Sequence, residues 1–552
     1  MDQKTVKKNR LMFPLGTVGR DMMYQLFTNY LYAFVLLTRQ LDKAQLATIA
    51  AIMVAARVFD ALNDPLMGNI IDRTRTKWGK FKPWLVIGIL TTSLVIYAAF
   101  NTKLQGWPFV IFFGVIYFLY SITYTMHDIS YWGMIPSLST DAAERNLLTS
   151  RTNLFAGFGG ALANFLIPML TVGAMTIGRS SVTAYGVIAL IIAVITPLFL
   201  CFTIFGVREN RSYEKEPAPK ISFKKIIRTI VGNDQLRWII PIFLLQQIGN
   251  GVVLGGLGQF YIYFQFGYAG GLYSLFNTIG MLATAVLMIL YPMISAKVQR
   301  KALMKKLLLA SIIGYVVMLA AGLFGSSLGM IAFWIITLGF MIANVGQYGF
   351  YLILMISILN TVEYNEYTTG SRDDAIIASI RPFVTKLGGA LIVVITTVTY
   401  LLFNVTDTTN QISDYEMKAQ KAQQVVVEGM ALKQSGDEKL ATVLKEIKEQ
   451  ELGVFVTDIS EDDLKAVVVK NDEAKLSEVL DKVDKAKLAN IDDVLGEVKS
   501  GQTVGLLLTM VILSFVFMLL TYVLYMKHYK LDEPEYERIC KELEERKAAP
   551  QA

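Results

Sequence analysis

Histidine and cysteine are almost missing from this chain of 552 residues, with two of each. His127 and His528 cannot build an imidazole metal centre. Cys201 and Cys540, one in an apolar run and one in the terminal tail, suggest neither a disulfide framework nor a zinc site. Charge is scarce too. Asp, Glu, Lys and Arg make up 18% of residues against 54% hydrophobic, and mean hydropathy is +0.46. A soluble domain carries about 25% charged residues. No G-x-x-x-x-G-K-[ST] loop is present to cradle a phosphate, which argues against ATP drive. The polar, basic start Met1-Asp2-Gln3-Lys4, with Arg20 and Asp21 in the run behind it, argues against a cleavable leader. The formal charge of +7 is gathered in short loops, a mark of membrane topology and not of nucleic-acid binding.

What the chain has in abundance is long apolar runs. They fall at 12–38, 44–71, 83–101, 107–137, 150–174 and 182–206, then at 236–263, 270–294, 303–325, 328–359, 373–403 and 504–527. A helix needs roughly 20 apolar residues to span a bilayer, so each run is long enough. The expectation is an all-α membrane protein with twelve transmembrane helices in two six-helix bundles. Lys4, Lys7, Lys8 and Arg10 precede the first run, and Arg73, Arg75, Lys77, Lys80 and Lys82 follow the second. Further basic clusters lie between runs six and seven and between runs eight and nine, while the alternate loops hold little more than Arg39, Lys43, Lys103 and Arg179. By the positive-inside rule both termini are cytoplasmic, in a cell (plasma or inner) membrane. The expected organisation is a cytoplasmic N-terminus 1–11, a first bundle 12–206, a central cytoplasmic loop 207–235 and a second bundle 236–403. A polar segment 404–503, helix twelve at 504–527 and a cytoplasmic tail 528–552 follow. The segment 404–503 is acidic. Leu440, Val443, Leu444 and Ile447, and again Leu476, Val479, Leu480 and Val483, recur at helical spacing. It reads as an extracytoplasmic helical insert that packs on itself, or as a cap near the transport mouth.

Ionisable residues at membrane depth are costly and mark pathways or coupling sites. Asp60 and Asp64 are four residues apart, on one helix face, where two ionised carboxylates repel unless they share a cation or a proton. Asn63 adds an amide oxygen, and Pro65 removes a donor from the Ala61 carbonyl. Such oxygen ligands suit a hard cation. The alternative is an ion pair with Arg20, Arg57, Arg151 or Lys386 that only holds helices together. Thr125, Asp128 and Trp132 share a face of the fourth helix. A carboxylate that accepts from hydroxyls beside an indole that covers a C–H face suits a sugar. Tyr351 and Asn250 could line the opposite wall or be core packing, and His127 reads as packed.

The stretch A-A-R-V-F-D-A-L-N-D-P-L-M-G from Ala55 to Gly68 resembles the glycoside–pentoside–hexuronide:cation symporters of the major facilitator superfamily. So do the loop from Asp72 to Trp84 and the run Thr123-Tyr124-Thr125-Met126-His127-Asp128-Ile129-Ser130-Tyr131-Trp132. The resemblance spans 1–403 and 504–545. It implies the major facilitator fold and alternating access. It further implies a cation site at Asp60, Asn63, Asp64 and Thr125, and a sugar site at Asp21, Asp128, Trp132 and Arg151. Arg20 stands where a well-known member has lysine, Tyr351 where it has tryptophan, and Lys386 matches a lysine close to the cation site. Asp72 and Arg73, in the basic loop, are expected to latch the halves on the cytoplasmic side. The expected function is symport of a sugar, glycoside or hexuronide with Na⁺ or H⁺, Li⁺ being possible. It is not catalysis and needs no resident cofactor. The expected partners are the sugar, the cation and the lipid bilayer, with the chain acting as a monomer. A lipid or lysolipid carrier on the same fold, or a non-transporting receptor that works through 404–503, is the alternative.

Overall fold

A computed structural model describes residues 3–139, 141–209, 223–434, 436–498 and 500–548. Residues 210–222 of the central basic loop, and the extreme ends 1–2 and 549–552, lie outside the described residues. Every regular element among the described residues is helical.

The first half of the chain forms α1 (Gln3–Leu15), α2 (Thr17–Gln25), α3 (Leu31–Thr38), α4 (Lys43–Arg73), α5 (Lys82–Asn101), α6 (Gly106–Leu138), α7 (Ala142–Thr171) and α8 (Ser181–Gly206). A single π turn, Leu26–Tyr30, joins α2 to α3. The second half forms α9 (Phe223–Gly232), α10 (Asp234–Val252), α11 (Gly258–Phe266), α12 (Gly270–Ser295), α13 (Arg300–Leu323), α14 (Gly325–Leu328), α15 (Met330–Thr369) and α16 (Asp374–Leu402). Then come α17 (Val405–Ala431), α18 (Gly436–Glu449), α19 (Glu461–Val468) and α20 (Glu473–Gly496). The chain ends with α21 (Ser500–Leu508), α22 (Ser514–His528) and α23 (Glu533–Ala548). Starts are set by side chains that take orphan backbone donors. Asp42 and Gln45 form a capping box on α4, and Asp141, Ser180 and Asn233 cap α7, α8 and α10.

Eleven of the described helical stretches are long and apolar enough to cross a membrane. The stretch 17–38 is not among them, because Arg20, Asp21, Gln25 and Asn29 make it less apolar. Large apolar side chains such as Leu94, Ile111, Leu154, Phe205 and Ile289 stand exposed on the outside of the bundle. That is the surface a protein shows to lipid.

Within the first half α2 packs on α7 and α8, and α6 on α4 and α5. Within the second α15 packs on α12 and α13, and α22 on α10. The halves meet through α4 against α16 and α7 against α12. Close approach depends on glycine. A Cβ built on Gly314 of α13 would lie 2.9 Å from the Ala343 Cα on α15, and one on Gly339 would lie 2.8 Å from the Gly314 oxygen. Segment α17–α20 carries its own apolar cluster, including Val426, Val443, Phe455, Val467, Val479 and Val483. This accounts for the helical spacing of apolar residues in an otherwise polar sequence.

Contact between the halves is concentrated at the end of the bundle that bears α17. There Tyr32 bonds Thr397 at 2.8 Å, the Gly270 amide donates to Val172 O at 3.1 Å and Ser274 donates to Phe165 O at 2.7 Å. At the opposite end charges are matched within each half. Arg10 pairs with Glu144, and Arg372 pairs with Glu363 and Glu366 at 3.0 Å each.

Gly314→Ala should lower the thermal midpoint of the purified protein by several degrees, because the added methyl meets backbone that cannot turn aside. Gly157→Ala, where a Cβ meets nothing within 4 Å, should leave the midpoint unchanged or raise it slightly. Thermal unfolding followed by tryptophan fluorescence in detergent reads both.

Candidate functional site

A cavity of about 520 Å³ lies between the halves, walled by α2, α4, α6, α10, α15 and α16. Two groups of charge line it, both built on α6. Ser121, Thr125, Asp128 and Trp132 follow one another at spacings of four, three and four residues, so one helix face carries them all into the space between α2 and α4.

The first group joins α4 to α16. The Lys386 ammonium lies 2.8 Å from Asp60 Oδ2 and also pairs with Asp64 Oδ2. On the other side of the carboxylates, Ser121 Oγ donates to Asp60 Oδ1 at 2.8 Å. Thr125 Oγ1 lies 3.1 Å from Asp60 Oδ1 and 3.4 Å from Asp64 Oδ1. Two carboxylates one turn apart are thus held by one cation and two hydroxyls. This set of hard oxygen donors fits a small monovalent cation in the place the ammonium takes. The pairing also joins the halves of the chain.

The second group joins α2 to α6. Arg20 is 2% exposed, and its guanidinium pairs with Asp128 and, at 3.2 Å, with Asp21. Thr17 Oγ1 donates to Asp21 Oδ2 at 2.5 Å. The guanidinium carbon stands 4.8 Å from the centre of the Tyr131 ring and 5.3 Å from that of Trp132. A buried arginine here satisfies two acids and stacks on two aromatic faces, which a lysine ammonium does less well.

Asn250 and Tyr351 line the wall formed by the second half. Tyr351 packs 6.0 Å from Phe243, and the Asn250 Oδ1 atom is buried without a hydrogen-bond partner. His127 is fully buried against Tyr124, with ring centres 4.7 Å apart, and neither of its nitrogens has a partner.

Four residues expected in functional roles lie elsewhere. Asn63 is not in the cavity lining, although it sits one helical turn from Asp60. Arg151 is exposed on α7, on the face that also shows Leu154 and Phe158, and is not in the lining either. Asp72 pairs with Lys80 of its own loop at 2.8 Å, and Arg73 ends α4 exposed, so this loop does not use that acid to hold the second half. Conversely Ser121, Tyr24, Tyr124 and Gln247 line the cavity, although sequence reasoning assigns them no role there, and Arg57, named only as an ion-pair alternative, lines it too. For Ser121 the signal is present, since it continues the Thr125, Asp128, Trp132 face by one turn.

Replacing Arg20 by Ala leaves Asp21 and Asp128 facing each other without a counter-charge. The variant should lose about 1–3 kcal/mol of stability, and adding Asp128→Asn should recover most of the loss. Denaturation midpoints of the two single variants and the double variant, measured in detergent, give the coupling.

The profile of the family described as MFS/sugar transport protein matches residues 12–429. A lactose permease of Lactobacillus delbrueckii subsp. bulgaricus is 31% identical over 397 residues, which cover 69% of this chain and 61% of that permease. A raffinose carrier protein of Pediococcus pentosaceus is 28% identical over 404 residues, covering 69% of this chain and 60% of the carrier. The chain therefore spans about three-fifths of the length of these relatives. Among solved structures, an inward-facing, unoccupied bacterial homolog of the human lysosomal transporter Spinster aligns with a TM-score of 0.51 at 12% identity. It covers 95% of this chain and 98% of that one. A D-xylose–proton symporter aligns with a TM-score of 0.50 at 13% identity, covering 70% and 88%. These likenesses show the fold, a multi-pass helical membrane bundle. The chain belongs to the MFS/sugar transport protein family, within the glycoside–pentoside–hexuronide:cation symporters of the major facilitator superfamily.

Proposed function

We propose that the chain is a secondary transporter that carries a sugar or glycoside together with a monovalent cation by alternating access. The observation that carries this reading is the pair of charge groups sharing α6. In each, a single cationic side chain bridges two carboxylates in the wall of one cavity.

Asp60 and Asp64 need one positive charge between them. Lys386 supplies it when no ion is bound. A Na⁺ ion or a proton taken up from solution supplies it otherwise, with Thr125 and Ser121 as further oxygen donors. The ammonium is then released from the two acids, and the link between α4 and α16 changes. Beside it, Asp128 and Asp21 accept hydrogen bonds from sugar hydroxyls, while Trp132 offers an apolar plate. Asn250 and Tyr351 face them from the second half. Because both ligands touch α6, each raises the affinity for the other.

The first run, 12–38, is read as completing the set of twelve membrane helices, with its charges turned into the cavity. The basic residues of the loop after α4 and of the start of α13 mark the cytoplasmic end. The α17 end then faces outward. With the halves joined on the outside, the cavity belongs to an inward-facing state. Asn63, Arg151, Asp72 and Arg73 would act in other states of the cycle.

Uptake of labelled glycosides into proteoliposomes should rise severalfold with an inward Na⁺ or proton gradient. Asp128→Asn, losing an acceptor that contributes about 1.5–3 kcal/mol to a bond with a hydroxyl, should weaken sugar binding about tenfold or more. Calorimetry in detergent measures that affinity. Gradient-independent uptake, or an unchanged sugar affinity in Asp128→Asn, would contradict the assignment.

A further inference from the structure

Segment α17–α20 belongs by chain to the second half, since it leaves α16 at Leu402 and re-enters the bundle at Ser500. Most of its polar contacts with the bundle run to the first half, Gln502 to Thr408 at 3.2 Å being one to the second. Asn410 makes a reciprocal pair with the backbone of Leu41, accepting from its amide at 3.1 Å and donating to its carbonyl at 2.8 Å. One turn further on, Asp414 accepts from Gln40 at 2.7 Å. These hydrogen bonds fix α17 to the short connection between α3 and α4.

A second set fixes it to the connection between α7 and α8. Glu416 has no exposed surface, and its carboxylate accepts from the Ser181 amide at 2.8 Å and from Ser181 Oγ at 3.1 Å. Ser181 is the first residue of α8, so the acid sits on the positive end of that helix. Ser181 Oγ also lies 3.0 Å from the Tyr268 hydroxyl of the second half. Lys487 of α20, likewise without exposed surface, donates to the Arg179 carbonyl at 2.7 Å and pairs with Asp484 at 2.8 Å.

A segment that only packed on itself would have no use for a buried acid and a buried lysine at a joint with other helices. Burying both is costly unless each is fully paired; Lys487 pairs with Asp484 and, at 3.6 Å, with Glu416 inside the segment, and the first half supplies the rest, the Ser181 amide and hydroxyl to Glu416 and the Arg179 carbonyl to Lys487. We propose that α17–α20 is a clamp that spans the two halves on the outer side and stabilises the outer-closed, inward-facing state of the carrier. This rests on the alternating-access reading. Opening the outer side moves the first half, with α4, α7 and α8, away from α12 and α16 of the second. The Asn410–Leu41, Asp414–Gln40 and Glu416–Ser181 hydrogen bonds exist only while that side is shut. Because they stabilise the inward-facing state and not the outward-facing one, they shift the population toward the former. The clamp therefore sets how often the outer side opens, and it does so without touching sugar or cation.

The test is a distance between the halves, read without any substrate. Cys201 and Cys540 are replaced by Ser, Lys103→Cys and Ser327→Cys place spin labels on outer loops of the first and second halves, and pulsed electron resonance is recorded in lipid nanodiscs. The otherwise native protein should show one short outer distance. Asn410→Ala with Asp414→Ala, two surface changes that leave the segment's own apolar cluster intact, should raise a longer-distance population about fivefold or more. Asp437→Ala, at a side chain 92% exposed, should change nothing. In a second measurement Gln40→Cys and Asp414→Cys are bridged by a reducible bifunctional thiol reagent. Uptake should stop and return on reduction. An unchanged distance distribution in the Asn410→Ala, Asp414→Ala protein would overturn the clamp, as would full uptake by the bridged protein. Because the distances are read without sugar or ion, they judge the clamp even if the transported solute is something else.

Discussion

Two carboxylates at membrane depth, sharing one positive charge, are the constraint on which the rest of this molecule depends. Neither Asp60 nor Asp64 tolerates ionisation beside the other without a cation, and Lys386 meets both from the far half of the chain. On the proposed function, a device that needs one charge, and takes it from a tethered ammonium or from a free ion, links binding to the geometry of the halves. The Arg20, Asp21 and Asp128 group repeats the arrangement inside the first half, with a guanidinium that is permanently charged. On the proposed function the first group exchanges its cation and the second stays fixed as a frame for hydroxyl-bearing solutes.

Packing serves this arrangement. The helices that carry the acids are held by close backbone contacts and by aromatic stacks such as Phe27 on Tyr120 and Phe13 on Tyr131. The cavity stays polar because α6 turns Ser121, Thr125 and Asp128 inward and leaves large apolar side chains such as Leu119 and Ile111 exposed. At the α17 end the halves are joined by hydroxyl and backbone hydrogen bonds, which separate at lower cost than ion pairs would. Buried charge there lies at Arg39, whose guanidinium donates to the Thr38 and Thr102 carbonyls at 2.7 Å each, and where Glu416 and Lys487 meet the ends of α7 and α8.

Much of this was legible in the sequence. Apolar runs located the helices because lipid imposes length and composition together. Spacing on α6 put Thr125, Asp128 and Trp132 on one face, and the four-residue interval put Asp60 beside Asp64. Contacts across the bundle were less legible. That Lys386 bridges both acids, and that Arg20 meets Asp128, depends on how helices far apart in sequence cross. The expected ligand role of Asn63 followed from the resemblance and from counting oxygen atoms, and Asn63 lies outside the cavity lining. Arg151 and Asp72 were placed by a resemblance that does not specify a conformational state. The periodicity of 404–503 announced helices with an apolar stripe, yet gave no hint that Asn410 and Glu416 would bind the first half. A single polar residue on a helix carries no mark of its partner.

The central claim is that the Asp60 and Asp64 carboxylates hold the coupled ion. Its most direct test is sugar affinity measured by calorimetry against Na⁺ concentration at fixed pH, and against pH without Na⁺, in the native protein and in folded Asp60→Asn protein. The native protein should bind sugar more tightly as one of the two ions rises. The variant should bind it with an affinity that depends on neither. An Asp60→Asn protein that keeps the native ion response would contradict the account.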